Sequence, residues 1–328
     1  MERRFHWGIL STANIGRKAM IPALQASDMA AVIAVASRDG QRARQFAKEL
    51  NIPKWYGNYQ SLLDDPEIDA VYIPLPNHLH KPWSIKAAEA GKHILCEKPL
   101  ALTPEECQAM FAAAEMHHVH LMESFMYRHH PRIKAAARIA QSGSLGRIKT
   151  IESAFTFRLK NLGDIRYQPE MGGGSVMDVG CYCINLSRLM AGREPLAVQA
   201  RAAWSETGVD QQMVAVLDFG DGLLAHFDCG FNQSSRQRAI IGGEDCFMVL
   251  RDVFLPGTGE TRLQIIRDGE QEVQIFKGVD EYRLIAEDFM RAAETGRPST
   301  PGSDAIANLS VIQALIASAR AGGQTIDL

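Results

Sequence analysis

Apolar strands and amphipathic helices alternate along the first 122 residues of this 328-residue chain. Alternation of this kind requires right-handed crossover connections, and it gives a parallel sheet with helices on both faces. We therefore predict an N-terminal doubly wound, Rossmann-type domain over residues 1–122, with ligands bound beyond the carboxyl ends of the strands. The predicted strands are 5–10, 30–36, 70–73, 92–96 and 119–122, and the predicted helices are 15–26, 41–50, 78–90 and 104–117.

Residues 123–328 have a different pattern, in which strand follows strand with short turns between them. This pattern predicts a mostly antiparallel sheet. The whole chain is then an α/β protein with a C-terminal α+β domain, and the C-terminal helix could return to pack on the first domain. The predicted strands are 147–158, 196–205, 210–219, 222–231, 235–241, 245–251, 261–266 and 271–276, and the predicted helices lie near 131–141, 174–190, 281–295 and 303–320.

The turn after the first strand has the position of a dinucleotide fingerprint. In the segment Ser11-Thr12-Ala13-Asn14-Ile15-Gly16, Ser11 and Ala13 stand where the first two glycines of G-x-G-x-x-G belong. Small side chains still allow a pyrophosphate to approach the first amides of the helix. A tight turn without any ligand is the alternative, and the predicted cofactor contacts are Ser11, Thr12, Ala13, Asn14 and Ile15.

The end of the second strand indicates which dinucleotide is bound. Ser37 and Arg38 stand where an acidic residue would take the ribose hydroxyls of NAD. Arginine is a bidentate partner of phosphate, and the pair therefore suits the 2′-phosphate of NADP. We predict NADP(H) as the cofactor, with NAD(H) as the alternative.

A lysine follows the predicted strand 92–96, in Cys96-Glu97-Lys98-Pro99. At this edge of a dinucleotide-binding sheet, Lys98 can exchange a proton with a substrate hydroxyl while hydride moves to or from the cofactor. A surface Glu–Lys pair at a strand end is the alternative. Pro74-Leu75-Pro76-Asn77-His78-Leu79-His80 ends the preceding strand at the same edge, and the further predicted cofactor contacts are Pro74, Leu75, Asn77, His78, Glu97 and Lys98.

A second polar cluster follows Gly172-Gly173-Gly174. Asp178 and Tyr182 are four residues apart, so they share one face of a predicted helix, and Asn185 lies near the same stripe. The glycines would let the chain approach a ligand. Tyr182 could donate its hydroxyl to a sugar or carbonyl oxygen, and Asp178 could orient the substrate. A Tyr–Asp hydrogen bond that only stabilises the helix is the alternative.

Composition excludes several classes of protein. A net charge of −3 gives no reason to expect nucleic acid, and no apolar run approaches the roughly 20 residues of a membrane span. The first strand begins near Phe5, so we expect no signal peptide. The six cysteines have no CxxC spacing, which is typical of reduced thiols in the cytoplasm. Histidines are numerous near 117–120 and 129–130 but lack partners at ligand spacing, so we predict no metal site.

Taken together, Glu97-Lys98-Pro99, the Pro74–His80 loop and the segment from Gly172 to Tyr182 resemble the glucose–fructose oxidoreductase, inositol dehydrogenase and MocA family. The resemblance covers nearly the whole chain. Glu123-Ser124-Phe125-Met126-Tyr127-Arg128 and Glu206-Thr207-Gly208-Val209-Asp210 are similar to the branch of dimeric dihydrodiol dehydrogenase and NADP-dependent D-xylose dehydrogenases. Tyr182 agrees with that branch, because inositol-dehydrogenase-like members have histidine there. The resemblance implies that Lys98 and Tyr182 form the catalytic centre and that the open sheet makes a homodimer or homotetramer.

The resulting hypothesis is an NADP(H)-dependent dehydrogenase or reductase that acts on a sugar or a related polyhydroxylated, cyclic substrate. Either Lys98 or Tyr182 could carry the proton. Two alternatives stay open at this point: a nicotinamide-dependent glycosidase without net redox change, and a dinucleotide-binding regulator without activity. The predicted catalytic residues are Lys98, Tyr182 and Asp178, and the predicted substrate contacts are Lys98, Arg128, Asp178, Tyr182 and Asn185.

Overall fold

The computed structural model describes residues 4–328, which divide into two compact units. The first unit contains the residues up to Met126 together with Asp280–Ile306, and the second contains Tyr127–Val279 together with Ala307–Leu328. The prediction of one continuous second domain over 123–328 therefore differs from the structure, because 280–306 belongs to the first unit. This segment is held there by apolar contacts such as that between Trp7 and Phe289, whose ring centroids lie 5.1 Å apart.

The first unit has the predicted alternation of strands and helices. Six parallel strands within residues 4–126 form one sheet in the order β3-β2-β1-β4-β5-β6. The strand order reverses between β1 and β4, which is the position of the ligand crevice in doubly wound folds. The elements are β1 (Phe5–Leu10), a π-helical turn (Gly16–Met20), α1 (Ile21–Gln25), β2 (Ala30–Ala36), α2 (Gly40–Glu49), β3 (Lys54–Tyr56), α3 (Tyr59–Leu63), β4 (Ala70–Ile73), α4 (His80–Glu89), β5 (His93–Cys96), α5 (Pro104–Met116) and β6 (Leu121–Glu123).

Two helices of this unit, α2 and α5, begin at residues whose side chains cap them. Asp39 accepts hydrogen bonds from the backbone N–H groups of Gln41 and Arg42 at the start of α2. Thr103 caps α5, and Pro104 occupies its first turn. Each cap satisfies N–H groups that have no partner within the helix. Both helices start within one residue of the predicted starts at 41 and 104.

The second unit contains a nine-stranded sheet in the order β14-β13-β12-β11-β7-β10-β9-β8-β15. β7 and β10 are parallel, and the other neighbouring pairs are antiparallel. The predicted α/β class with a second, mostly antiparallel sheet is thus confirmed. The remaining elements of the chain are α6 (Pro131–Gln141), β7 (Ile148–Arg158), a π-helical turn (Val176–Gly180), α7 (Cys181–Ala191), β8 (Ala197–Trp204), β9 (Asp210–Asp218), β10 (Leu224–Gly230), β11 (Asn232–Gly243), β12 (Phe247–Arg251), β13 (Thr261–Arg267), β14 (Glu270–Phe276), α8 (Glu281–Thr295), α9 (Ser303–Arg320) and β15 (Ile326–Asp327). Of these, α8 belongs to the first unit, and α9 begins in it.

The two faces of the nine-stranded sheet differ in burial. α7 packs on the face that buries Leu217 and Phe227. On the other face, Val214, Val216 and Leu224 are 50%, 40% and 46% exposed. We call this second surface the open face.

Among the residues that the structure describes, no helix is long and apolar enough to cross a bilayer.

Candidate active site

The turn after β1 keeps the backbone geometry of a glycine turn although its first glycine is replaced. Ser11 has a φ of 148°, a region that favours glycine. Its hydroxyl accepts a hydrogen bond of 3.0 Å from the backbone N–H of Ala13, which stabilises the turn. A π-helical turn, an element enriched at functional sites, follows directly at Gly16–Met20. The departure from the fingerprint therefore concerns side chains and leaves a sharp strand-to-helix turn.

The end of β2 presents two arginines. Arg38 is exposed and donates a hydrogen bond to the hydroxyl of Tyr59. Arg42, one turn into α2, lies close enough to influence the same hydroxyl. Two guanidinium groups beside the buried Ser37 fit a phosphate dianion. Arg42 and Tyr59 were missed by the sequence analysis, although the spacing of four residues between Arg38 and Arg42 was a usable signal.

His80 joins the loops that follow β4 and β5. Its Nε2 lies 2.8 Å from the carbonyl oxygen of Leu75, and its Nδ1 lies 2.9 Å from that of Pro99. Burial lowers the pKa of His80, and the two contacts of its ring connect the loops. In the same loop, Nδ1 of His78 is buried with no hydrogen-bond partner within residues 4–328. An orphaned polar atom at this edge fits a site that a polar ligand completes.

Lys98 follows a buried anchor. The hydroxyl of Tyr72, itself fully buried, donates a hydrogen bond of 2.6 Å to Oε1 of Glu97. Burial raises the pKa of Glu97, while the charge of the adjacent Lys98 opposes that rise. The Lys98–Pro99 peptide bond is cis. Glu97 is half-buried and held by a buried tyrosine directly after β5, which argues against the alternative of an exposed Glu–Lys pair.

Tyr182 lies in the second unit among aromatic rings. Its ring centroid lies 5.8 Å from that of Tyr127 and 5.4 Å from those of Phe155 and Phe254. All four side chains are buried. The packing fixes the ring plane of Tyr182 and therefore the direction of its hydroxyl.

Asp178 lies one turn before Tyr182, within the π-helical turn Val176–Gly180. It is the only half-buried residue between 174 and 188, because the others in that segment are buried. Its Oδ2 accepts a hydrogen bond of 2.7 Å from Nε of Arg166. Arg166 also pairs with Asp164, at 3.1 Å between Nη1 and Oδ1. The sequence analysis missed Arg166, because its partner Asp178 is 12 residues away and no local pattern links the two residues.

Asn185 and Arg128 are linked in the second unit. The Tyr127 hydroxyl donates a hydrogen bond of 2.6 Å to Oδ1 of Asn185, and Nη1 of Arg128 lies 3.5 Å from the same oxygen. Asn185 is fully buried, whereas Arg128 is partly exposed. The geometry favours Asn185 as a residue that holds Tyr127 and Arg128.

The glycines before Asp178 allow the chain to approach itself. A Cβ on Gly173 would lie 2.5 Å from the carbonyl oxygen of Arg166, and one on Gly174, whose φ is 118°, would collide with the carboxylate of Asp210. The expectation that these two glycines serve approach to a ligand is therefore corrected: the space is taken by residues 166 and 210 of the same unit.

Comparison with known proteins shows the family of this chain. A family model described as "Oxidoreductase family, NAD-binding Rossmann fold" matches residues 5–125. A second, described as "GFO/IDH/MocA C-terminal domain", matches residues 133–248. The chain belongs to the GFO/IDH/MocA oxidoreductase family. The resemblance inferred from Glu97-Lys98-Pro99 and the Gly172–Tyr182 segment is confirmed.

Relatives of this GFO/IDH/MocA protein include the predicted branch. The chain is 40% identical to D-xylose 1-dehydrogenase (NADP(+)) 2 of Haloferax volcanii, over 96% of this chain and 98% of that protein. It is 32% identical to trans-1,2-dihydrobenzene-1,2-diol dehydrogenase of Xenopus tropicalis, over 76% of each. Among solved structures, KijD10, a 3-ketoreductase from Actinomadura kijaniata in complex with NADP and TDP-benzene, superposes with a TM-score of 0.92 at 29% identity, over 96% of this chain and 98% of that chain.

The described residues of this family member include no group of three or more histidine, cysteine, aspartate or glutamate side chains placed to hold a metal ion. The six cysteines are free and buried. His120, from the histidine-rich segment, packs its ring on Phe289 at 5.2 Å. Cys181 and Cys183 both lie in the buried part of α7.

Proposed function

We propose that this protein is an NADP(H)-dependent dehydrogenase or reductase that transfers hydride to or from a carbinol carbon of a sugar or related cyclic polyol. The observation that carries the proposal is Lys98, which follows a half-buried glutamate, hydrogen-bonded to the buried Tyr72, at the carboxyl end of β5 in a sheet of order 3-2-1-4-5-6. The names of the relatives support it, because they are a sugar dehydrogenase, a diol dehydrogenase and a 3-ketoreductase.

The residues present fit NADP(H). The turn Ser11–Ile15 would bind the pyrophosphate at the start of a helix, and Ser37 with Arg38 would bind the 2′-phosphate. When bound, the cofactor accepts or supplies the hydride. The orphaned Nδ1 of His78 supports a polar ligand at this edge. The residues that we assign to the cofactor are Ser11, Thr12, Ala13, Asn14, Ile15, Ser37, Arg38, Pro74, Leu75, Asn77, His78, Glu97 and Lys98.

Lys98 and Tyr182 would act on the reacting oxygen. Both are donors that can hydrogen-bond a hydroxyl or carbonyl oxygen and share its proton. The three rings around Tyr182 support this role, because they hold its hydroxyl in one direction. Asp178 and Arg128 would contact the other hydroxyl groups of the substrate. Asn185 would hold the side chain of Arg128 in position.

The open face would form the contact between subunits of a homodimer or homotetramer. Val214, Val216 and Leu224 supply exposed apolar area, and the Arg236–Asp228 and Arg238–Glu152 ion pairs lie among them. Interfaces combine such apolar patches with polar groups. We also propose a cytoplasmic location, which the six free thiols support.

The proposal is tested by a screen of sugars, ketosugars and cyclic polyols with NADP(H) and NAD(H) in parallel, in which cofactor absorbance and product are both measured. We expect one mole of NADPH formed or consumed for each mole of substrate converted, at a higher rate than with NAD(H). Cleavage of a glycoside without net change in cofactor absorbance would replace the proposal by the glycosidase alternative. Cofactor binding without turnover of any substrate would favour a regulator.

A further inference from the structure

Arg166 lies in a loop that is anchored at several points to the start of the helix carrying Tyr182. Its carbonyl oxygen accepts a hydrogen bond of 2.9 Å from the N–H of Gly174. The next residue, Tyr167, packs edge-on against Phe231, with ring centroids 4.8 Å apart. The backbone of Arg166 can lie this close to the helix start because Gly173 has no side chain, whose Cβ would lie 2.5 Å from the carbonyl oxygen of Arg166.

The side chain of Arg166 joins two carboxylates. Nε donates to Oδ2 of Asp178 at 2.7 Å, and Nη1 lies 3.1 Å from Oδ1 of Asp164. Asp164 is itself fixed, since its Oδ1 accepts a hydrogen bond of 3.0 Å from the N–H of Arg166. The negative charge of Asp178 is the main cause that raises the pKa of Arg166. The guanidinium is therefore a fixed cation that orients one oxygen of Asp178.

Burial distinguishes this pair from an ordinary surface ion pair. Asp178 has 15% of its side chain exposed and Arg166 has 38%. Asp178 is also the only residue between 174 and 188 that is not buried, on the helix that carries Tyr182. A carboxylate held by a fixed guanidinium has a fixed direction, which lowers the entropy lost when it binds a hydroxyl group.

We propose that Arg166 is a positioning residue of the reaction, which acts by orienting the carboxylate of Asp178 toward a hydroxyl group of the substrate. This inference rests on the function proposed above. It adds a residue outside the Lys98, Asp178 and Tyr182 set. It also assigns a role to the loop that contains Arg166, whose ion pair with Asp178 would orient a substrate contact.

The test is a double-mutant cycle in the full-length protein. The variants are R166Q, D178N, the R166Q/D178N double variant and R166K. The matched control is R193Q, because Arg193 forms an ion pair of 2.9 Å with Asp221 and has 40% of its side chain exposed, but lies beyond the end of α7. KM and kcat are measured with NADP+ and D-xylose, or with the sugar that the screen shows to be oxidised fastest. NADPH affinity and the thermal midpoint are measured for every variant.

We expect R166Q to raise KM for the sugar about 10-fold, the effect of losing a charged hydrogen bond, with a smaller change in kcat. NADPH affinity should be unchanged, R166K should recover most of the loss, and R193Q should match the wild type. In the D178N background, R166Q should have almost no further effect, because residues that act as one unit are not additive.

Three results would overturn the inference. The first is an R166Q effect of the same size with and without Asp178, and the second is an unchanged KM in R166Q. The third is a loss in R166Q that R166K does not recover and that follows the fall in thermal midpoint. If the wild type oxidises or reduces no substrate in the screen, the proposed function itself fails and the inference fails with it. The wild-type rate thus separates the two failures.

Discussion

Asp210 and Ser175 are 35 residues apart in sequence, yet the Ser175 hydroxyl donates a hydrogen bond of 2.6 Å to Oδ2 of Asp210. The same carboxylate oxygen accepts a hydrogen bond of 2.8 Å from the N–H of Val176. Asp210, at the start of β9, therefore caps the helix that carries Asp178 and Tyr182. The cap comes from a distant strand, and Gly174 leaves the space for it.

This cap makes stability depend on pH. Burial raises the pKa of Asp210 to about 6, above the value near 3.9 of an unfolded aspartate. The unfolded state therefore loses its proton first, and the free energy of unfolding falls by roughly 3 kcal/mol as pH rises from about 4 to about 6. Asp210→Asn removes the titration. We expect the difference between wild type and D210N, measured by urea unfolding, to decrease over this range and then level off. A difference independent of pH would contradict the assignment.

Arg38 should decide cofactor preference. Arg38→Ala should lose about 1.5–3 kcal/mol of NADPH binding, the value of a hydrogen bond to a charged group, and leave NADH binding nearly unchanged. Arg44→Ala is the control, because Arg44 is exposed on the following helix, α2, and lies further from the end of β2. Fluorescence titration of both variants with both cofactors measures the effect. Equal losses for NADPH and NADH in R38A would show that Arg38 does not recognise the 2′-phosphate.

The open face should control the oligomeric state. Val216 lies on β9 between Gln199 of β8 and His226 of β10, and is 40% exposed. Val216→Lys places a charge in the middle of this apolar patch and should shift the protein toward the monomer in analytical ultracentrifugation. Met116→Lys is the control, because Met116 is an apolar residue of the first unit that is 74% exposed, and it should leave the mass of the oligomer unchanged. Identical oligomers for wild type and V216K would exclude this face as the subunit contact.

The spacing of hydrophobic residues was enough to predict most of the fold, because it stays regular along the longer helices and strands. α6, α8 and α9 begin and end where the pattern predicts, and the strands agree to within a few residues. β3 and α3 were missed, since three residues, Lys54–Tyr56, and five residues, Tyr59–Leu63, are too short to show a period. The two π-helical turns were also missed, because a local i→i+5 hydrogen bond does not change the spacing of the hydrophobic residues.

Candidate site residues could be named from the sequence only where the residue type and its place in a motif indicate a chemical role. Lys98 and Tyr182 could be singled out because each stands in a motif at an element end. The Arg166–Asp178 pair, the Asp210 cap and the Tyr127–Asn185 hydrogen bond depend on contacts over 12, 35 and 58 residues. A single sequence does not record such contacts. The same limit explains why Gly173 and Gly174 were assigned to a ligand when Arg166 and Asp210 take that space.

Lys98 should be required for the chemical step. Lys98→Met should lower kcat by about 100-fold or more, the size of a general acid–base contribution, with little change in cofactor affinity. Lys48→Met, at an exposed position on α2, is the control. Steady-state kinetics combined with NADPH titration separate the two effects. An unchanged turnover number in K98M would remove Lys98 from the catalytic centre.

The central claim is that hydride passes directly between the carbinol carbon of a sugar and the nicotinamide ring. The most direct measurement uses the sugar that is oxidised fastest, deuterated at its reacting carbon, together with NADP+ and the wild-type enzyme. We expect the NADPH formed to carry the deuterium, detected by mass spectrometry, in amounts equal to the oxidised product. NADPH without label, or product formed with no NADPH, would contradict the account.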